Sequence, residues 1–474
     1  MSWRTDRAAL LLGVTLVIGA ILRIVGLQSS LWYDEIVTLV ESARHPVLQI
    51  VTDPPGLNAH PLYSLLAHAS LVTFGDSAWA LRLPACVFGI ATLVMVYVLG
   101  RRLTSPIEAW AGSALLALSY HHVWFSQNAR GYTLLGFLTL LSTWLLLRAL
   151  REGRASDYLL YALACAAGMY THLTMMFVIA GHVAVILIGQ LRRWPEIKRQ
   201  PVSRLWYAWI GVALLSMVLY APFVPSLLAL MGKSAPHAAA KVATAGWAAS
   251  EAVRSLLSDA GIWAVALTGL LALIGAISLA GREPLAMALL LMPGVVTGLG
   301  MIATRQPIRP RFFFFLAGSA AICMGRGIGV LVERRRAPEW AVGAITVPLL
   351  LLSLVALPRN YQVPKQDFDA ADADLTSREA QGARVVMAGP ACLPFTEYYD
   401  KSWRCLRNDE EWTRLVAETS ASTLMVYTLI DYVEDSELQH HLRTQCSIVK
   451  RFDATLRGGE IVICQPDPSR VVTR

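Results

Sequence analysis

Charge is what this sequence has least of. Asp, Glu, Lys and Arg make up 16% of its 474 residues, and apolar residues make up 55%. A soluble domain averages about 25% charged and 45–50% apolar, so an ordinary soluble fold is excluded. No C-x-x-C pair occurs among the seven cysteines, which argues against a zinc ribbon. No Lys/Arg run is interleaved with base-stacking aromatics, so nucleic acid is not an expected partner despite the formal charge of +8. Repeats and low-complexity segments are absent. So is an A-x-A-like cleavage site after the first apolar run, which is also too long for a signal peptide. That run is read as a retained helix.

What is present is a series of apolar runs: 8–27, 79–99, 107–125, 131–150, 156–171, 174–191, 205–225, 260–280, 284–303, 312–331 and 340–357. They predict about eleven transmembrane helices, since a span needs about 20 apolar residues. Residues 61–74 are helical in pattern but short, and are read as an interfacial helix within the first long loop, 28–78. With the N-terminus in the cytoplasm, the cytoplasmic loops carry Arg101, Arg102, Arg148, Arg151, Arg154, Arg192, Arg193 and Arg334–Arg336, whereas loop 28–78 carries only Arg44. This is a positive-inside pattern. It accounts for the net charge.

An odd number of spans puts the C-terminus outside. Residues 358–474 change composition sharply and form a second, extracytoplasmic domain after a membrane domain over 1–357. Short apolar strands at 384–389, 423–428, 448–452 and 460–464 alternate with helical patterns at 409–419 and 431–444, which predicts a small α/β layer. Cys392, Cys405, Cys446 and Cys464 all lie here, and an exported domain favours disulfides. Cys392 with Cys405 and Cys446 with Cys464 are the local pairings; three connectivities are open.

On this topology the chemistry-bearing residues gather on the outer face. Trp32, Asp34 and Glu35 follow the first helix, and Asp53 and His60 flank Pro54-Pro55. Gln127, Asn128, Arg130 and Tyr132 lie between the third and fourth helices. Arg305, Arg309 and Arg311, stiffened by Pro307 and Pro310, lie between the ninth and tenth. Charged groups at a lipid interface are costly and tend to be functional. Three arginines on the side that should carry few suit a phosphorylated lipid head group, because the guanidinium fork matches phosphate oxygens. A belt of snorkelling side chains is the bland alternative. Two adjacent acids are too few to specify a metal, so no cofactor is expected; a divalent cation held by Asp34 and Glu35 is the less favoured variant.

The order of these pieces, "SSLWYDE", then "HPLYSLLAHASLVTFGDSAWALRLPACVFGIATLVMVYVLGRRL", then "WFSQNARGYTLLGFLTLLSTWLLL", resembles the GT-C type membrane glycosyltransferases. Within these it is similar to the protein O-mannosyltransferases and the lipid A aminoarabinose transferases (glycosyltransferase family 39-like). The resemblance covers most of residues 10–360. It implies a sugar donor carried on a polyprenyl phosphate. It makes Asp34 the essential first-loop acid with Glu35 beside it, and Arg130, Tyr132 and Arg311 the groups near the donor phosphate. Phe312 stands where the family's pattern has tyrosine after the late arginine.

These residues suit the chemistry. Departure of a lipid phosphate builds charge that arginines stabilise. An attacking hydroxyl must shed its proton, and Asp34 is the expected base. Direct displacement inverts the anomeric carbon. The acceptor is a hydroxyl on a protein, lipid or glycan, and the expected location is a bacterial inner membrane with the active face in the periplasm. A flippase for lipid-linked sugars is the competing class. It would need polar groups at mid-membrane depth and on both faces, whereas here they cluster on one. A mere anchor for the C-terminal domain would not need eleven helices.

Overall fold

The computed structural model describes residues 3–53, 59–226, 228, 265–303, 310–418, 422–456 and 458–467. Pro54-Pro55, Arg305 and Arg309 lie outside the described residues.

The membrane part opens with α1 (Trp3–Ile24) and a first loop holding α2 (Tyr33–Thr38), α3 (Val47–Thr52) and α4 (Pro61–Phe74). The bundle continues with α5 (Ala78–Leu103), α6 (Pro106–Ala117), α7 (Tyr120–Ser126), α8 (Tyr132–Glu152), α9 (Ala155–Thr171), α10 (Met175–Leu191), α11 (Pro195–Lys198) and α12 (Val202–Tyr220). It is completed by α13 (Val265–Arg282), α14 (Pro284–Ala303), α15 (Ala317–Arg334), preceded by a 3-10 turn at Pro310–Leu316, and α16 (Trp340–Gln362). Among the described residues, eight helical segments are long and apolar enough to cross a membrane. The other three expected spans are shorter or broken. Run 107–125 divides at Leu118-Ser119, where Ser119 Oγ accepts from His122 N at 3.5 Å and starts α7. Runs 156–171 and 174–191 form helices of 17 residues each.

Local chemistry explains the breaks. Pro106 at the first position of α6 follows a capping box in which Ser105 and Glu108 satisfy each other's backbone N–H groups. Gly153 ends α8 with φ +70, a left-handed turn that glycine takes without strain. Helices α6 and α15 touch through small residues: a Cβ on Gly112 would sit 2.5 Å from Ala321 O. Such close approach drives association in lipid, where the hydrophobic effect between helices is absent. Outward-facing apolar side chains such as Val17 and Val355 are 61% and 78% exposed, a surface that suits acyl chains.

The C-terminal domain comprises α17 (Phe368–Ala380), β1 (Arg384–Ala388), β2 (Arg404–Leu406), α18 (Asp409–Glu418), β3 (Thr423–Tyr427), α19 (Ser436–Thr444), β4 (Cys446–Phe452) and β5 (Ile461–Pro466). The sheet order is β2-β1-β3-β5-β4, with β1 parallel to β2 and β3, and β5 antiparallel to β3 and β4. Strand β2 was not expected: three residues are too few to show an alternation. The disulfides are Cys392–Cys405 and Cys446–Cys464, each with Cα atoms 5.6 Å apart.

This domain is not appended loosely. One apolar cluster runs from Leu31, Ile36 and Tyr63 of the first loop to Phe368, Phe395 and Ile463 of the sheet domain. Gln366, in the connection after α16, accepts from Tyr33 N at 2.9 Å and donates to Thr428 Oγ1 at 2.9 Å and Gly459 O at 3.0 Å. Helix α16 itself runs on to Gln362, past the expected domain boundary at 357.

Candidate active site

Helix α2 carries both first-loop acids in its first turn, where the helix dipole favours negative charge. The two side chains go to different partners. Glu35 is completely buried. Its Oε1 accepts from Arg82 Nε and from Ala129 N, both at 2.7 Å, and its Oε2 accepts from Arg82 Nη2 at 2.6 Å. Arg82 also donates to Leu27 O at 2.8 Å, Ser29 O at 2.7 Å and Ser30 O at 2.9 Å, so it fixes the whole turn between α1 and α2. Glu35 was expected beside Asp34 as a catalytic acid. With both oxygens taken and no exposed surface, it is a positioning residue that ties the first loop to the 127–130 segment.

A second cation completes that anchor. Lys365 Nζ lies 3.7 Å from Glu35 Oε1, donates to Gln127 O, and sits 5.2 Å from the Trp124 ring centroid. Burial pushes Lys365 down from the usual 10.5 to about 7, with Glu35 opposing and Arg82 assisting. Between those two pH values the folded chain binds fewer protons at this residue than the unfolded chain. Its contribution to stability therefore rises with pH across that window. Thermal midpoints in detergent are expected to rise for wild type from about pH 7 to about pH 9.5 by an increment that Lys365→Met lacks. An identical pH dependence in both proteins would show that folding does not lower the Lys365 pKa.

Asp34 faces the other way. Its Oδ2 lies 3.7 Å from Arg311 Nη1 and 4.0 Å from Arg130 Nε, and accepts no hydrogen bond among the described residues. Three chain segments thus aim one carboxylate and two guanidiniums at a common point without closing on each other. Arg130 Nη1 donates to Thr38 Oγ1 at 3.4 Å, and Thr38 Oγ1 donates to Asp34 O at 2.8 Å, which locks the arginine to α2. Arg311 Cζ stands 5.5 Å from the ring centroid of Phe312, so the apolar ring in place of tyrosine packs against the guanidinium. Asp34 and Glu35 thus engage different cations.

Around this point lies an aromatic wall. Tyr132 is buried, with its ring 5.3 Å from His60 and 5.9 Å from His172; the two imidazoles are 4.8 Å apart. Burial, reinforced by the charge of Arg130, holds both histidines in the neutral form: His60 falls well below its usual value and His172 to about 3. His172 Nδ1 accepts from Thr174 N at 3.1 Å, while among the described residues Tyr132 Oη and His172 Nε2 have no hydrogen-bond partner. Neither do the His60 ring nitrogens, apart from a weak approach to the Thr171 backbone.

The remaining expected residues divide. Trp32 Nε1 donates to Asn128 Oδ1 at 3.2 Å, holding the first loop against the second, while Asn128 Nδ2 is unpaired. Gln127 clamps the end of α1: its Nε2 donates to Leu22 O at 2.9 Å, Arg23 O at 3.2 Å and Val25 O, and its Oε1 accepts from Asn360 at 2.7 Å. It is a structural clamp. Asp53 is exposed at the end of α3, and no ion pair among the described residues joins it to the Asp34 group.

Residues 53–225 match the family described as dolichyl-phosphate-mannose-protein mannosyltransferase. The whole fold is similar to apo ArnT from Cupriavidus metallidurans, at 12% identity over 98% of each chain, with a TM-score of 0.58. The chain has the GT-C type fold of this membrane glycosyltransferase. ArnT bound to undecaprenyl phosphate matches at 13% identity, covering 97% of this chain and 98% of that one, with a TM-score of 0.55. The oligosaccharyltransferase AglB from Archaeoglobus fulgidus, in complex with an inhibitory peptide and a dolichol-phosphate, matches at 12% identity over 97% of this chain and 74% of its own, also at 0.55. A comparison with curated protein sequences finds no match.

In this chain the family match spans His60, Arg82, Arg130, Tyr132 and His172, whereas Asp34, Arg311 and Lys365 come from outside it. Lys365 and His172 are the site residues that sequence reasoning missed. Lys365 looks like an ordinary charge just past a helix. His172 lies in a turn whose only signal is that it falls at the same end of the bundle as His60.

Proposed function

We propose that this membrane glycosyltransferase moves a sugar from a polyprenyl-phosphate donor to an acceptor hydroxyl of a protein, lipid or glycan. The proposed face is the periplasmic side of a bacterial inner membrane, and the anomeric carbon is inverted. The observation that carries this reading is the Asp34 carboxylate held 3.7 Å and 4.0 Å from two arginines without a closing hydrogen bond. The acceptor oxygen forms a bond to the anomeric carbon as the carbon–oxygen bond to phosphate breaks. The acceptor proton goes to Asp34, and the electron pair leaves on the polyprenyl phosphate, where Arg130 and Arg311 meet the developing charge. The binding of undecaprenyl phosphate by ArnT and of dolichol-phosphate by AglB supports the donor class. The step uses protein side chains alone.

The test is a transfer assay with purified protein in lipid discs, a synthetic polyprenyl-phosphate donor bearing labelled sugar, and a cell-envelope extract as acceptor. The label is expected to leave the lipid fraction in step with release of free polyprenyl phosphate. Movement of intact sugar-lipid across vesicles, with no cleavage, would establish a flippase instead.

A further inference from the structure

The end of the bundle away from Asp34 carries charge that the displacement step does not use. The turn that holds Arg311 leads into α15, which runs 18 residues to Arg334. At about 1.5 Å per residue, its far end lies roughly 27 Å beyond that turn. There α13 and α15 flank a cavity of about 330 Å³. Ile274, Ile277 and Val330 supply apolar lining, and Arg282, Arg326 and Arg334 supply positive charge. We propose that this groove is a binding site for an anionic phospholipid, with an acyl chain along Ile274 and Ile277 and the head-group phosphate between Arg282 and Arg334. The proposal is independent of the sugar donor and acceptor assigned above.

Packing and charge carry it. Small residues bring the two helices together: a Cβ on Gly275 would sit 1.8 Å from Cys323 O, and one on Gly327 would sit 2.0 Å from Leu271 O. Past this crossing, Arg326 Nε donates to Ser278 Oγ at 3.0 Å and bridges α15 to α13 beside the cavity. Ile277 is 66% exposed, and Leu270 and Leu273 of the same helix are also exposed, so the groove opens on an apolar surface that suits acyl chains. Charge then selects the head group. Buried Arg326 donates to Glu108 Oε1 at 2.9 Å and to the two oxygens of Glu333 at 2.8 Å and 2.7 Å. Arg282 Nη2 donates to Glu333 Oε2 at 3.1 Å. Two carboxylates therefore meet two of the three arginines. Arg334 pairs with no carboxylate among the described residues. The surplus is one positive charge, which one phosphodiester balances. The Arg282 side chain is 58% exposed, so it shares that phosphate without leaving Glu333. Basic pockets between helix ends hold anionic lipid head groups in this way. A zwitterionic head group brings its own ammonium and leaves the surplus charge uncompensated.

The experiment titrates phosphatidylglycerol, or phosphatidylcholine with the same acyl chains, into the delipidated full chain in detergent and reads the first bound lipid by native mass spectrometry. Phosphatidylglycerol is expected to bind more tightly by about tenfold, the effect of one to two arginines near an anionic head group. Soluble glycerol phosphate is expected not to displace it, because the groove holds the chain as well as the phosphate. The double variant Arg282→Gln with Arg334→Gln should bring the preference to within about twofold of none. Arg192→Gln with Arg193→Gln, which removes two exposed arginines outside the groove, should keep it. Equal binding of the two lipids by wild type overturns the proposal, and that comparison needs no variant to fold. Displacement by glycerol phosphate would make the groove a site for free anions, and the lipid proposal would fall. A preference that survives the groove variant, or one that the Arg192/Arg193 variant loses equally, would show a diffuse belt of charge in place of a site.

Discussion

Replacing Asp34 by asparagine is expected to reduce sugar transfer by about 10²–10⁴-fold, the usual contribution of a positioned general base. Donor binding and thermal stability should change little. The substitution keeps the shape of the side chain and removes only its charge. Asp34 packs into no core and its Oδ2 closes no hydrogen bond, so little native structure depends on it. Losing its charge leaves Arg130 and Arg311 facing the donor phosphate with less competition, so affinity for bare polyprenyl phosphate should hold or rise. The measurement is single-turnover transfer at saturating donor, alongside the thermal midpoint. Near-normal transfer by a folded, donor-binding Asp34→Asn protein would remove the base role. A loss confined to donor affinity would reassign Asp34 to binding.

The neighbouring acid should behave in the opposite way. Glu35→Ala is expected to destabilise the fold by about 3–5 kcal/mol, the penalty for removing one partner of a buried ion pair. Here the penalty falls on a stranded guanidinium, Arg82 at 0% exposure, while Lys365, at 8%, loses the carboxylate that favours its charged form. The Arg82 guanidinium would keep its carbonyl acceptors in the 27–30 turn but lose both carboxylate contacts. Ala129 N would lose its acceptor as well. Because that backbone group precedes Arg130, the second loop should loosen together with the first. Fluorescence-detected gel filtration after heating reads the effect as a lowered midpoint and reduced yield. The double replacement Glu35→Leu with Arg82→Met should recover part of the loss, since a buried pair replaced by apolar groups of similar size is often neutral. A Glu35→Ala protein with wild-type stability but no activity would mean that Glu35 acts on substrate after all.

Adjacent residues in one helical turn thus divide between chemistry and architecture, and the sequence alone does not say which is which. At Asp34 and Glu35 it shows two identical charges on neighbouring residues after a helix. Helix geometry turns successive side chains by about 100°, so one acid must face inward, but which one depends on where Arg82 arrives from α5. The same holds for Gln127 and Asn128. Both are polar and follow the same helix, yet Gln127 is consumed by the carbonyls at the end of α1 and Asn128 by Trp32.

Other features were legible because their causes are local. The apolar runs declare helices in lipid, since an unpaired backbone in hydrocarbon is too costly for any other choice. The break in run 107–125 was not visible, because it rests on Ser119 capping α7. The composition change near residue 358 marks a second domain with its strands and paired cysteines. Its short strand β2 was hidden because three residues carry no period.

By itself, then, the sequence determined the membrane character of the chain, the positions of its helices, the separate sheet domain, and the loop residues from which a site is drawn. These follow from hydropathy and composition, which act within a few turns of chain. The tertiary structure decided that Arg311, distant in sequence, completes the Asp34–Arg130 pair. It also decided that Lys365 reaches back to Glu35, and that His60 and His172 meet beside Tyr132. Each depends on contacts between segments far apart in the chain, and long-range packing, not any local pattern, selects which buried charges compensate one another.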